Sequence, residues 1–260
     1  MSDTVSLEVS DGVARVTLSH PGKLNAMSRA MWSELRLVFE SIPQDPELRC
    51  VLLEGDGAHF CAGGDISEYP GFRFNEKSLR DFHEREVWCG LQAMLDCDVP
   101  IVASIQGSCM GAGMEIASCC DIRLAGASSR FGAPIARLGF PMAPREAALV
   151  MRAAGELTAR EMLLAAAVLD AHEMKQRGFL NTVVADSELA AAVQTGVDCI
   201  GTLAPAAARL NKQSFRALAQ VLRAQDAIDL IAIAYQYADT AEHREGVTAF
   251  IQKRQPRFNR

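Results

Sequence analysis

The stretch IQGSCMGAGMEIASCCD, residues 105–121, constrains this chain more than any other. An apolar strand over 101–105 runs into Gly107, Gly111, Ala112 and Gly113, and a helix follows with Glu115 in its first turn. Small residues at such a junction let the backbone come close to another backbone or to a ligand. The opening N–H groups of a helix lack internal partners and carry the positive end of its dipole. A carbonyl oxygen gaining negative charge is stabilised there. A second junction of the same build lies upstream, where CVLLE (50–54) leads through GDGAH to FCAGGD (60–65). One such loop is common packing hardware. Two suggest an oxyanion hole that takes one N–H from each.

Period and punctuation give the surrounding elements. Leu7 and Val9 alternate before Asp11 and Gly12, a hairpin signal, and a second strand returns over 13–18. Ser28 is placed to cap a helix with an apolar face of Met31, Leu35, Val38, Phe39 and Ile42, ending before Pro43. Residues 51–53 and 122–125 read as strands, and 79–95 as a helix. Thr158 and Asp170 each head a capping-box pattern, with Glu161 and Glu173 as the acidic partners, and Gly178 sits where a C-cap belongs. A last strand covers 180–184. After Asp186 the chain reads as helix, broken near Pro205. These signals predict a mixed α/β core over 1–195 and a helical region over 196–260.

Composition narrows the function classes. Hydrophobic content of 49% with 22% charged residues suits a soluble globular chain. A net charge of −6 argues against a nucleic-acid surface. The eight cysteines are dispersed or adjacent without a C-x-x-C pair, and the five histidines are scattered, so no metal site is expected. Residues 1–4 have neither the basic start nor the apolar run of a signal peptide, and no apolar stretch is long enough to span a bilayer. Reduced thiols in a cytoplasmic protein, away from membranes, are the expectation. There is no G-x-S-x-G elbow of an α/β hydrolase and no G-x-G-x-x-G after a strand.

FCAGGDI (60–66) resembles the F-x-A-G-x-D-[IL] segment of the crotonase superfamily, the enoyl-CoA hydratase/isomerase family. Residues 107–121 are similar to its G-x-x-x-G-x-G-x-E-[IL]-x-x-x-C-D, and HPGKLNAM (20–27) to its early P-x-x-x-N-[AS] turn. Phe131-Gly132, Leu138-Gly139 and REGVTAF (244–250) match in order. The resemblance implies an α/β spiral of ββα repeats forming two roughly perpendicular sheets. Its C-terminal helices assemble trimers, often paired into hexamers. It also implies an enzyme acting on a coenzyme A thioester, with no permanently bound cofactor, by hydratase-like addition or removal of water through a thioester enolate.

Residue by residue, Gly64 and Ala112 fall where the family supplies its two oxyanion-hole N–H donors. Glu115 falls where its hydratases carry one of two glutamates that position and activate water. Leu24, Asn25 and Ala26 match the turn that receives the adenine and pantetheine side of the coenzyme, and Asp65, Ile66 and Ser67 continue the same wall. Phe250 and Lys253 match positions from which a neighbouring subunit reaches the adenine and the 3′-phosphate. Lysine as a point charge fits a phosphate. Independently of any family, a glutamate beside Gly111 and Gly113 in an apolar pocket acquires the raised pKa that acid–base work near neutrality needs.

The departure from the pattern is Ile135. The family's second carboxylate lies in F-G-x-P-E, whereas this chain has FGAPI over 131–135, and the resemblance implies an apolar side chain set against the reacting carbons. Three arrangements accommodate it. Glu115 works alone as acid and base; or Glu146, at the next helix start, supplies the second carboxylate; or the reaction is double-bond isomerisation or malonyl-type decarboxylation. A non-catalytic acyl-CoA- or RNA-binding relative is the reading from another class, opposed by the intact loops, by Glu115 and by the acidic charge. The acyl pocket is expected to be shaped by residues 66–95, including Tyr69, Phe72, Phe74 and His83.

Overall fold

The Asp11–Gly12 turn closes the expected hairpin, with both residues at positive φ. Strand β1 (Thr4–Ser10) pairs antiparallel with β2 (Val13–Ser19). In this computed structural model, which describes residues 3–219 together with 241, 245, 252, 254 and 257, every later strand of the same sheet adds in parallel. These are β3 (Cys50–Gly55), β4 (Ile101–Ile105), β6 (Ile122–Gly126) and β9 (Thr182–Val184), in the order β1-β2-β3-β4-β6-β9. Helices cover both faces, and β3 and β4 accordingly read as nearly continuous apolar runs.

A second sheet escapes the sequence reading. It joins β5 (Ser108–Met110), β7 (Arg130–Gly132) and β8 (Val168–Asp170), each only one turn of pleat long. The chain alternates between the two sheets. Strand β4 turns at Gly107 into β5 and helix α4 (Ala112–Ser118); β6 turns into β7 and then reaches α5 (Pro144–Ala154) and α6 (Glu156–Leu164). Cys61 pairs with Cys109, and Cys109 with Phe131, so equivalent points of three successive turns stack in register. This is the spiral of ββα turns that the resemblance implies. Gly107 makes the turn possible: its φ is +57° and a Cβ there would lie 2.3 Å from the Ala58 carbonyl oxygen.

Helix α1 (Arg29–Ser41) starts at Ser28, whose side chain accepts from the Met31 N–H as predicted, and buries Met31, Trp32, Leu35 and Phe39 in the main core. Asp170 and Glu173 form the reciprocal capping box of α7 (Ala171–Gln176). Thr158 does not cap: it is buried inside α6, which starts directly after Gly155, where a positive φ ends α5 and leaves no room for a separate cap. The single helix expected over 79–95 is three pieces, α2 (Glu76–Asp81), a π-helical stretch over Phe82–Val87, and α3 (Trp88–Asp96). Helix α8 (Leu189–Gly201) runs across residue 195 and lays Leu189, Val193, Val197 and Ile200 on the far face of the large sheet, against Cys50, Leu52, Val102 and Leu124. Helix α9 (Pro205–Ala219) begins at Pro205 and is tied down by Lys212 to Asp121 (2.7 Å) and Arg216 to Asp98 (2.6 Å). Among the described residues, no helix is long and apolar enough to cross a membrane.

Candidate active site

The two glycine loops are stitched together by backbone hydrogen bonds. Phe60 N–H donates to the Gln106 carbonyl (2.8 Å), Cys61 N–H to Ser108 (2.9 Å) and Met110 N–H back to Cys61 (2.9 Å). Their approach requires glycine: a Cβ on Gly113 would lie 2.6 Å from the Cys61 carbonyl oxygen. Gly111 enters α4 with a φ of +46°, which turns the helix start towards the other loop. Gly64 and Ala112 end on the wall of one cavity of about 250 Å³. Ala112 is the first residue of α4, so its N–H has no intrahelical acceptor. Among the described residues the Gly64 N–H also donates to no backbone carbonyl, although its neighbours are held: Met27 N–H donates to Gly63 and Asp65 N–H to Met27, both at 2.8 Å. Both residues on the wall of this cavity thus keep a backbone N–H without a backbone acceptor.

The bracing comes from the 20–27 turn. Leu24 and Asn25 both adopt positive φ. Asn25 is 4% exposed, accepts from the His20 N–H (3.0 Å) and donates to the Asp56 (2.9 Å) and His59 (2.6 Å) carbonyls. Leu24 accepts from the Ala62 N–H, and Ala26 from the His20 imidazole. The Asn25 side chain is therefore spent on the protein, holding the turn against the first glycine loop. Asn25→Ala is expected to destabilise the fold by about 2–4 kcal/mol, because one backbone N–H and two backbone carbonyls in partly buried surroundings lose their partner. A melting curve within a degree or so of the native one would remove this bracing role.

Glu115 lines the same cavity. Burial, reinforced by the nearby Glu146 carboxylate and opposed by Arg73, pushes its carboxyl up to about 8. Among the described residues nothing hydrogen-bonds it, so it faces the cavity as a protonated acid at neutral pH. Ile135 lines the cavity too, at the start of a 3₁₀ turn over Ile135–Leu138. Glu146 does not reach the wall. It is 2% exposed in the first turn of α5 and accepts from Nδ1–H of His83 at 3.0 Å. His83, from the π-helical stretch, does line the cavity. Cys61, inside the first loop, is fully enclosed and burial pushes its thiol up to about 12, which excludes it as a nucleophile.

Of the other predicted residues, Ile66 lines the cavity and is exposed at its edge. Asp65 pairs with Lys23 (2.6 Å) and, with Ser67, forms an ordered cap outside it. Tyr69 lines the cavity with its hydroxyl against Gly64, and Phe72 packs behind on Phe82 at 4.5 Å between ring centroids. Phe74 is the correction: it is 87% exposed and lies outside the cavity. Phe250 and Lys253 lie outside the described residues. Sequence reasoning missed Arg73. Its guanidinium sits 4.5 Å from the Tyr69 ring centroid and 3.9 Å from that of Phe140, on the cavity wall, and burial lowers its pKa. No spacing in the sequence signals that stack, because Phe140 comes from a remote loop.

The Enoyl-CoA hydratase/isomerase family matches residues 8–260. A crystal structure of an enoyl-CoA hydratase/carnithine racemase from Magnetospirillum magneticum superposes with a TM-score of 0.92 at 34% identity, covering 100% of this chain and 96% of that one. The short-chain-enoyl-CoA hydratase of Clostridium acetobutylicum is 31% identical over 97% of this chain and 96% of its own length. The 2,3-dehydroadipyl-CoA hydratase of Escherichia coli is 30% identical over 95% and 94%. The fold is thus shared with solved members of this family, and the chain is an enzyme belonging to the enoyl-CoA hydratase/isomerase family.

Proposed function

We propose that the protein acts on a coenzyme A thioester, adding water to, or removing it from, the carbon–carbon double bond next to the thioester carbonyl. The observation that carries this reading is a single carboxyl, Glu115, pushed up to about 8 on the wall of a cavity that Gly64 and Ala112 also line. When water adds at the β-carbon, one of its O–H bonds breaks with the proton passing to a base, and the π electrons move to the thioester oxygen as an enolate. The two backbone donors stabilise that oxygen, and Glu115 delivers a proton to the α-carbon. Dehydration runs the same steps backwards. The chemistry consumes no cofactor and calls for no metal.

The coenzyme is placed along the wall of Leu24–Ala26 and Asp65–Ser67, which the Lys23–Asp65 pair orders. Phe250 and Lys253 of a neighbouring subunit are assigned to its adenine and 3′-phosphate, in a trimer or hexamer built through 196–260. Exposed Phe215 and Leu218 on α9 supply apolar surface for that contact. A cytoplasmic location accompanies the reading. Ile135 favours a second reaction within the same site, proton relocation or loss of carbon dioxide without water, because its side chain cannot hold a water. Incubation with enoyl-, hydroxyacyl- and malonyl-type CoA thioesters, followed by mass analysis, decides between them. Gain or loss of water is the expected result. A mass-neutral shift or carbon dioxide loss alone establishes the second reaction, and inertness towards every thioester overturns both.

A further inference from the structure

Ile135 leaves the water-activating half of a hydration without its carboxylate, and the structure holds another base in the same cavity. His83 lines the wall with its side chain 21% exposed, while its partner Glu146 is 3% exposed. A carboxylate can only accept, so the 3.0 Å contact fixes the proton on Nδ1 and leaves the Nε2 lone pair free. Among the described residues no hydrogen bond occupies Nε2.

The local backbone fits a built site. His83 stands in the π-helical stretch, whose wider turn is closed by the Trp88 N–H donating to the His83 carbonyl. Such interruptions of a helix recur where a side chain is re-aimed for function. The first turn of α5 grips the stretch twice, through Glu146 on His83 and through Arg145 on Glu84 at 3.3 Å. His83 and Glu115 line the same cavity, so the imidazole and the acid that serves the α-carbon open onto one space.

We propose that His83, oriented by Glu146, is the general base that takes a proton from the water adding to the enoyl thioester. This rests on the hydration reading above. In the step, a water O–H bond breaks and its proton passes to Nε2. The oxygen bonds to the β-carbon, the π electrons move to the thioester oxygen, and Glu115 gives its proton to the α-carbon. The imidazolium so formed sits against the buried Glu146 carboxylate, the relation that steadies the histidine of a hydrolase triad. Solvent then returns one proton to Glu115 and removes one from His83. His83 is the catalytic residue in this scheme, and Glu146 a positioning residue.

Two reactions separate the roles. Exchange of the α-protons of butyryl-CoA in deuterated water needs Glu115 and the two N–H donors but no attacking water. Hydration of crotonyl-CoA needs all of them and the base. His83→Gln keeps size and hydrogen-bonding capacity but cannot take up a proton. Its kcat for hydration is expected to fall on the order of 10²–10⁴-fold, with KM and butyryl-CoA exchange changed only a few-fold. Glu146→Gln, a second variant should the first fail to fold, is expected to lower hydration kcat at least tenfold with exchange retained, and Glu146→Asp to recover part of the loss. Native-like hydration in both glutamine variants, or parallel loss of hydration and exchange, overturns the proposal. A native protein that exchanges butyryl-CoA without hydrating crotonyl-CoA overturns it while leaving the Glu115 and oxyanion assignments standing. One that does neither overturns the underlying reading as well.

Discussion

Glu115→Gln is expected to slow turnover on the order of 10²–10⁴-fold while leaving thioester binding and the fold in place. Glutamine reproduces the shape and polarity of the neutral acid that the native cavity already holds at pH 7, so nothing in the packing changes. What disappears is the transferable proton. The effect on stability has a definite sign. The folded carboxyl binds its proton up to about pH 8, against an ordinary value of 4.5, so its contribution is fully present below the lower value. It is lost as pH rises through about 8, because folding then requires a charge in a site that disfavours it. The variant has no such loss. Its melting temperature should match the native one below about pH 4.5, exceed it increasingly as pH rises to about 8, and keep that margin above it. Activity in the hydration direction should likewise fall as the native pH passes through about 8. A melting difference that stays flat across that window, or unchanged kcat, would show that another group carries the proton.

Gly113→Ala is expected to damage the same chemistry from the backbone side. The added methyl would stand 2.6 Å from the Cys61 carbonyl oxygen and 3.1 Å from the Cys61 Cβ, and neither is the end of a flexible side chain. Either α4 or the first loop has to move, and each carries one of the two N–H donors. Losing the aim of one donor costs on the order of 10²–10³ in rate, and the overpacking about 1–3 kcal/mol in stability. Gly196→Ala in α8 provides the contrast. A Cβ there meets nothing within 4 Å, so the usual helical preference for alanine should stabilise by about 0.5–1 kcal/mol. If Gly113→Ala behaves like Gly196→Ala in melting and retains full turnover, the close approach of the two loops is not what aligns the donors.

Much of the site was readable because its signals are local. Gly64 and Gly113 mark places where a backbone must approach something closely, Gly63 and Gly111 places that need a positive φ, and both needs are written into a residue with no Cβ. Ser28 and Asp170 announce helix starts by chemistry confined to one turn. The Asp11–Gly12 hairpin and the apolar runs of β3 and β4 have a period that survives without context. Thr158 shows the limit: its capping pattern is present, yet Gly155 fixes the helix start upstream, and Thr158 is buried inside the helix instead.

What the sequence by itself determined is the pair of glycine loops, Glu115 in the following helix, and a mixed α/β core, all set by glycine placement, capping and apolar period. Tertiary structure alone decided the three-stranded sheet, because strands as short as β5, β7 and β8 have no period to read and exist only through pairing between turns of the spiral. It also decided the company Glu115 keeps. Arg73 stacks on Phe140 from a distant loop, and His83 meets Glu146 across 63 positions of chain. The elevated proton affinity of Glu115 follows from burial and the nearby Glu146 carboxylate, against the opposing pull of Arg73, and electrostatic surroundings of this kind depend on distance in space, which no linear spacing encodes.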